Sequence, residues 1–130
     1  MYVTPLFAAI FGLMYIALSI NVVRLRLKKQ VSLGTGDIDA LEKEIRIHAN
    51  FAEYVPFTLL LLILHEILTL SSSLVFWLGC LFLISRVCHV IGMKNGKDYL
   101  ICRKLGMIGT FTVILIASLT TLWVYLPLNI

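Results

Sequence analysis

The chain has 130 residues, of which 60% are hydrophobic and 14% charged, with a mean hydropathy of +0.98. A soluble domain is nearer half apolar and a quarter charged, so these values exclude an ordinary water-soluble globule and make lipid the expected solvent. The net charge of +4 is no nucleic-acid signal, because the basic residues stand at the ends of apolar runs, where they orient a chain and meet anionic headgroups.

A span needs about 20 mostly apolar residues, so the length accommodates four spans and no extramembrane domain. The first is expected over residues 5–23, with Pro5 in the first turn, where its missing N–H costs nothing. No basic n-region or small-residue cleavage site precedes the charges, so a cleaved signal peptide is not expected. The cluster Arg24, Arg26, Lys28 and Lys29 ends this span at a headgroup layer. Residues 32–39 (SLGTGDID) read as a loop, with Asp37 or Asp39 placed to cap the next helix. That helix is expected over 41–70, polar at first and apolar from Tyr54 onward, with a kink at Pro56. Residues 71–73 form a turn, a third span covers 74–93, and KNGKD (94–98) is a loop. The fourth span covers 103–126, with Trp123 and Tyr125 as interfacial anchors. The expected fold is thus an all-α integral membrane four-helix bundle.

No Lys or Arg lies between Arg46 and Arg86, and none follows Lys104. By the positive-inside rule the first and third loops are cytoplasmic, and both termini are on the other side. Cys80, Cys88 and Cys102 are odd in number and lack metal-ligand spacing, so neither a disulfide framework nor a metal site is expected.

Charge also falls where hydrocarbon should be. Glu42, Arg46, Asn50 and Glu53 are spaced four, four and three, which makes one helical stripe; His48 lies on another face. Arg86 and His89 share a face of the third helix. At 1.5 Å per residue, Glu53 is roughly 25 Å from the far end of its helix, and Arg86 about 18 Å from the same side, so both lie in the inner half of a core about 30 Å thick. A Glu53–Arg86 ion pair is therefore expected, since either charge alone costs about 2.5–3.5 kcal/mol at that depth. Its plain reading is structural. The sharper one is a polar cavity lined by Arg46, Asn50, Glu53, His89 and Arg103, where the surplus of cations, and a helix start at Arg103, suit an anionic ligand. His65 and Glu66 are expected to be solvated at the outer surface, and Gly106 and Gly109 to permit close helix contact.

On these residues the chain resembles the MAPEG family, the membrane-associated proteins in eicosanoid and glutathione metabolism. EKEIRIHANFAEYVPF (42–57) resembles the second-helix signature through Arg46, Asn50, Glu53 and Pro56. VRLRLKK (23–29) resembles the basic end of the first helix, and SRVCH (85–89) the third-helix Arg-x-x-His element. The resemblance implies a homotrimer that binds glutathione, as co-substrate, at each subunit interface near the cytoplasmic side, and takes lipophilic substrates from the membrane lipid. It implies glutathione binding by Arg46, Asn50, Glu53 and His89, with Arg24 supplied by an adjacent subunit, Arg86 supporting Glu53, and Arg103 stabilising the thiolate as the catalytic residue. Met93 stands where glutathione-active relatives often carry Tyr. Lys104 stands where prostaglandin-forming relatives carry Ser, and Met107 or Gly106 where they carry a later Tyr, which speaks against prostaglandin isomerase activity. The activity so implied is a glutathione transferase or peroxidase. A non-catalytic trimer of the same fold, binding a thiol or lipid, is the alternative. A transporter would show discontinuous spans or repeated halves, and neither is present.

Overall fold

The computed structural model describes residues 2–128, and the side chains of Lys97, Asp98 and Leu128 lie outside that description. The basic character ascribed to Lys97 and the terminal residues 1, 129 and 130 of the expected single domain therefore lie outside the described residues. Four long helices account for nearly all of it: α1 (Thr4–Lys29), α2 (Asp39–Thr69), α3 (Ser73–Lys94) and α4 (Leu100–Leu128), with a single 3-10 turn at Gly96–Tyr99 before α4. All four are long and apolar enough to cross a membrane.

The helices run alternately up and down. The start of α1 meets the end of α2 through Glu66, the start of α2 meets the end of α3 through a hydrogen bond from Lys43 Nζ to the Lys94 carbonyl, and α3 lies along α4. Helices α2 and α3 are central, whereas α1 and α4 do not meet among the described residues. Phe11 joins three helices, with ring centroids 6.0 Å from Phe51 and 5.0 Å from Phe82. Large apolar side chains such as Leu13, Ile84, Ile108, Leu115 and Trp123 point outward. In lipid that exposure costs nothing, and packing relies instead on small residues and interhelical hydrogen bonds.

The glycines of α3 and α4 show this. A Cβ at Gly106 would lie 2.6 Å from the Ser85 carbonyl oxygen and 2.7 Å from the His89 nitrogen, and one at Gly92 would run into the Arg103 backbone nitrogen. Three such approaches, with Gly109 against Ser85 Oγ, draw the two helices together as expected and set the first turn of α4 beside His89.

Several details differ from the sequence reading. Helix α1 continues through the basic cluster to Lys29, so those residues extend the helix beyond the apolar run. Neither Asp37 nor Asp39 caps α2; its cap position is Ile38, without a side-chain hydrogen bond. Asp39 and Glu42 lie in the first turn instead, where their charge complements the helix dipole. As expected, Pro56 does not break α2, which is continuous through it.

The largest correction concerns the far end of α2. His65 and Glu66 are buried, at 4% and 0% exposure. Glu66 accepts hydrogen bonds from the Val3 and Thr4 backbone nitrogens (2.7 and 3.0 Å) and from Thr4 Oγ1 (2.7 Å). A helix start leaves its first N–H groups without intrahelical acceptors, and α1 has no cap of its own. The Glu66 carboxylate supplies one from another helix. His65 Nδ1 lies 3.2 Å from Thr121 Oγ1, linking α2 to α4.

A candidate ligand site at the basic end of the bundle

The α2 stripe, the α3 face and the first turn of α4 converge on one polar cavity of about 260 Å³, lined by Arg46, Ala49, Asn50, Glu53, His89, Met93 and Arg103. Helical spacing puts Arg46, Asn50 and Glu53 on one wall, and the Gly92 and Gly106 contacts bring His89 and Arg103 to the other. His89 is buried, while Arg46, Glu53 and Arg103 remain exposed. Arg103 is the fourth residue of α4, which begins at Leu100, so it lies in the helix's first turn. A second cavity, lined by Lys43, Gly92, Met93, Gly96, Leu100 and Arg103, adjoins the first through Met93 and Arg103.

Arg86 stands behind this cavity and is 1% exposed. The expected Glu53–Arg86 ion pair is not formed among the described residues. Arg86 Nη1 donates to Asn50 Oδ1 at 2.9 Å, and Nη2 reaches the Gly106 carbonyl at 3.4 Å and the Met107 sulfur at 3.6 Å. The guanidinium also lies over Tyr54, 5.6 Å from the ring centroid, where the ring's negative face helps balance the charge. The physical reason is direction. Arg86 sits in the bundle interior, whereas Glu53 is exposed one helical step away. Glu53 is thereby left unneutralised at the cavity, and Asn50, its oxygen occupied, presents amide N–H donors.

Arg24 does not reach this cavity within its own chain. It lines a separate pocket with Asn21, Leu25, Lys28, Glu44 and Lys94. On the remaining face of α2, His48 Nε2 lies 3.0 Å from Ser19 Oγ and its ring centroid 4.8 Å from that of Tyr15. Ser19 Oγ donates to the Tyr15 carbonyl, so its proton is committed and the pair is an interhelical tie rather than an activated nucleophile.

Sequence reasoning missed Arg86 as the partner of Asn50 and Glu66 as the cap of α1. The unpaired backbone N–H groups expected at the start of α1, those of Val3 and Thr4 ahead of Pro5, were the one available signal for the latter.

The fold and this site define an integral multi-pass membrane protein, an all-helical four-span bundle with a polar cavity enclosed at one end. The chain belongs to the MAPEG family, whose model matches residues 4–123. It is similar to the inner membrane protein YecN of Escherichia coli strain K12 and to that of Escherichia coli O6:H1, each 32% identical over 125 residues, or 96% of this chain and 93% of the relative. Their name states a membrane and no activity. No solved structure matches the chain.

Proposed function

We propose that the protein is a membrane-embedded, glutathione-dependent transferase or peroxidase. The observation that carries this reading is the gathering of Arg46, Asn50, Glu53, His89 and Arg103 from three helices around one cavity within an apolar bundle. Glutathione carries two carboxylates and one ammonium. Arg46 and the Asn50 N–H groups suit a carboxylate, and Glu53 suits the ammonium. Arg103 would lie against the sulfur, where a cation lowers a thiol's pKa and raises the thiolate fraction. The thiolate then forms a C–S bond to an electrophilic carbon as the leaving group departs with its electron pair. With a hydroperoxide it attacks the terminal oxygen, releasing an alcohol and a glutathione sulfenic acid, which a second glutathione converts to disulfide and water.

Two further features belong to the proposal. The cavity is somewhat below the roughly 300–1,000 Å³ of a typical ligand pocket and open on one side, so a homotrimer would complete it with a neighbouring subunit. The basic end faces the cytoplasm, which supplies the thiol, and the lipophilic co-substrate enters from the bilayer.

The second reading, a non-catalytic trimer holding a thiol or lipid, draws on one observation. The lining residues carry no hydroxyl, so Arg103 would act on the sulfur without help from a Tyr or Ser.

The test adds glutathione and a chloronitrobenzene to the purified protein and follows ultraviolet thiolate absorbance and turnover. The enzyme reading expects both signals in wild type, and their loss in Arg103→Ala with glutathione still bound. Binding without thiolate or turnover in wild type selects the second reading. Unchanged glutathione affinity in Arg46→Ala sinks the site itself.

A further inference from the structure

Another polar pocket, which within one chain shares no lining residue with the cavity proposed for glutathione, lies where the first helix leaves the apolar layer. Asn21, Arg24, Leu25 and Lys28 fall at i, i+3, i+4 and i+7 on one face of α1, and with Glu44 of α2 and Lys94 of α3 they line an open pocket of about 280 Å³. Arg24 is 20 positions after Thr4, roughly 30 Å along the axis, or one hydrocarbon thickness. The pocket thus sits at headgroup level.

Its charges are uncommitted. The side chains of Arg24, Lys28 and Lys94 make no hydrogen bond or ion pair among the described residues, and the Glu44 Oε2 atom is buried with no partner. A carboxylate and three cations line one pocket, yet none closes on another. A buried carboxylate oxygen without a donor is costly, and a ligand seated between the two sets of charges would relieve it. The ligand must carry both signs: an anion with several acceptor oxygens for Arg24, Lys28 and Lys94, and a cation with N–H donors for Glu44. Leu25 gives the pocket an apolar edge, which suits a ligand continuing into acyl chains.

We propose that this pocket binds the headgroup of a phosphoethanolamine-bearing phospholipid. The phosphate is held by Arg24, Lys28 and Lys94, and the primary ammonium donates to Glu44.

The test titrates the full chain, purified in detergent, with phosphatidylethanolamine, phosphatidylglycerol and phosphatidylcholine of identical acyl chains, and reads bound lipid by native mass spectrometry. All three carry the phosphate. The glycerol headgroup has no cation, and the quaternary ammonium of choline has no N–H. The expected result is a preference for phosphatidylethanolamine over both of about ten-fold, the scale of one charge-assisted hydrogen bond. Glu44→Gln, isosteric and checked for helix content by circular dichroism, should abolish that preference, and Lys28→Gln should weaken all three lipids together. Equal binding of the three lipids by wild type, or a preference that survives Glu44→Gln, overturns the proposal. The wild-type comparison stands even where a variant fails to fold. Soluble glycerophosphoethanolamine, added as competitor, separates the two sources of the same chemistry. Displacement only at far higher concentration supports the lipid, and displacement at equal concentration overturns it in favour of a soluble ligand.

Discussion

Arg86 and Asn50 sit on neighbouring helices, and the guanidinium Nη1 donates to the amide Oδ1 at 2.9 Å. This bond does two things. It gives a fully buried cation an acceptor, and it occupies the oxygen of an Asn50 amide that also lines the polar cavity. Asn50→Leu is expected to lose roughly 1.5–3 kcal/mol, the worth of a hydrogen bond to a charged group, whereas Asn50→Asp supplies a counter-ion and holds or raises stability. Thermal midpoints in detergent micelles measure both. A wild-type midpoint for Asn50→Leu contradicts the pairing.

The Glu66 carboxylate holds the start of α1 through three hydrogen bonds. Glu66→Ala should strand these donors at about 1–3 kcal/mol for each group left buried and unsatisfied. Amide hydrogen exchange is expected to quicken over the first turn of α1 while α3 around Arg86 keeps its protection, because the sites are well separated. Uniform acceleration would mean that Glu66 supports the whole bundle rather than one helix end.

Two glycine substitutions should behave oppositely. Gly92→Ala drives a methyl group into the Arg103 backbone, whereas a Cβ at Gly12 meets nothing within 4 Å. Gly92→Ala is expected to cost about 1–3 kcal/mol by overpacking and to weaken the thiolate signal by shifting Arg103. Gly12→Ala should be neutral in both. Denaturation and ultraviolet thiolate absorbance read the difference, and equal effects would refute the contact argument.

The pH profile of turnover tests the role given to Arg103. A cation beside the sulfur stabilises the charged thiolate, so the bound thiol should ionise below the free cysteine thiol's pKa of about 8.5. Activity should then rise through a lower pH range in wild type, and Arg103→Ala should move that rise toward alkaline pH. A profile that keeps its position while only its height falls would assign Arg103 to binding alone.

Orientation is open to a labelling test. With the basic end cytoplasmic, a membrane-impermeant maleimide added outside intact cells should modify Ser71→Cys and reach Thr35→Cys only after permeabilisation. The reverse order would invert the proposed topology.

The four helices were legible because lipid imposes a simple rule on sequence: long apolar runs, punctuated by charge and glycine. The α2 stripe was legible for a related reason, since polar residues at helical spacing stand out against an apolar background. Partners were much less legible. Arg86 was paired with Glu53 by depth and opposite charge, both one-dimensional properties, whereas the structure pairs it with Asn50 because the interior direction of α3 aims it there. His65 and Glu66 were read as solvated for their place near a helix end, and the structure buries them, Glu66 under the start of α1 and His65 beside Thr121 of α4.

By itself the sequence determined the solvent, the helices, the polar stripe and the membership of a family, because hydropathy and periodicity are local and additive along a chain. Only the tertiary structure decided which charges are satisfied and which are left open. That choice depends on helix rotation and on how closely glycines let backbones approach, quantities that residue order constrains but does not spell out. Glu53, Glu44 and Arg24 look alike in sequence to the committed Glu66 and Arg86, and the packed bundle is what leaves the first three free to meet a ligand.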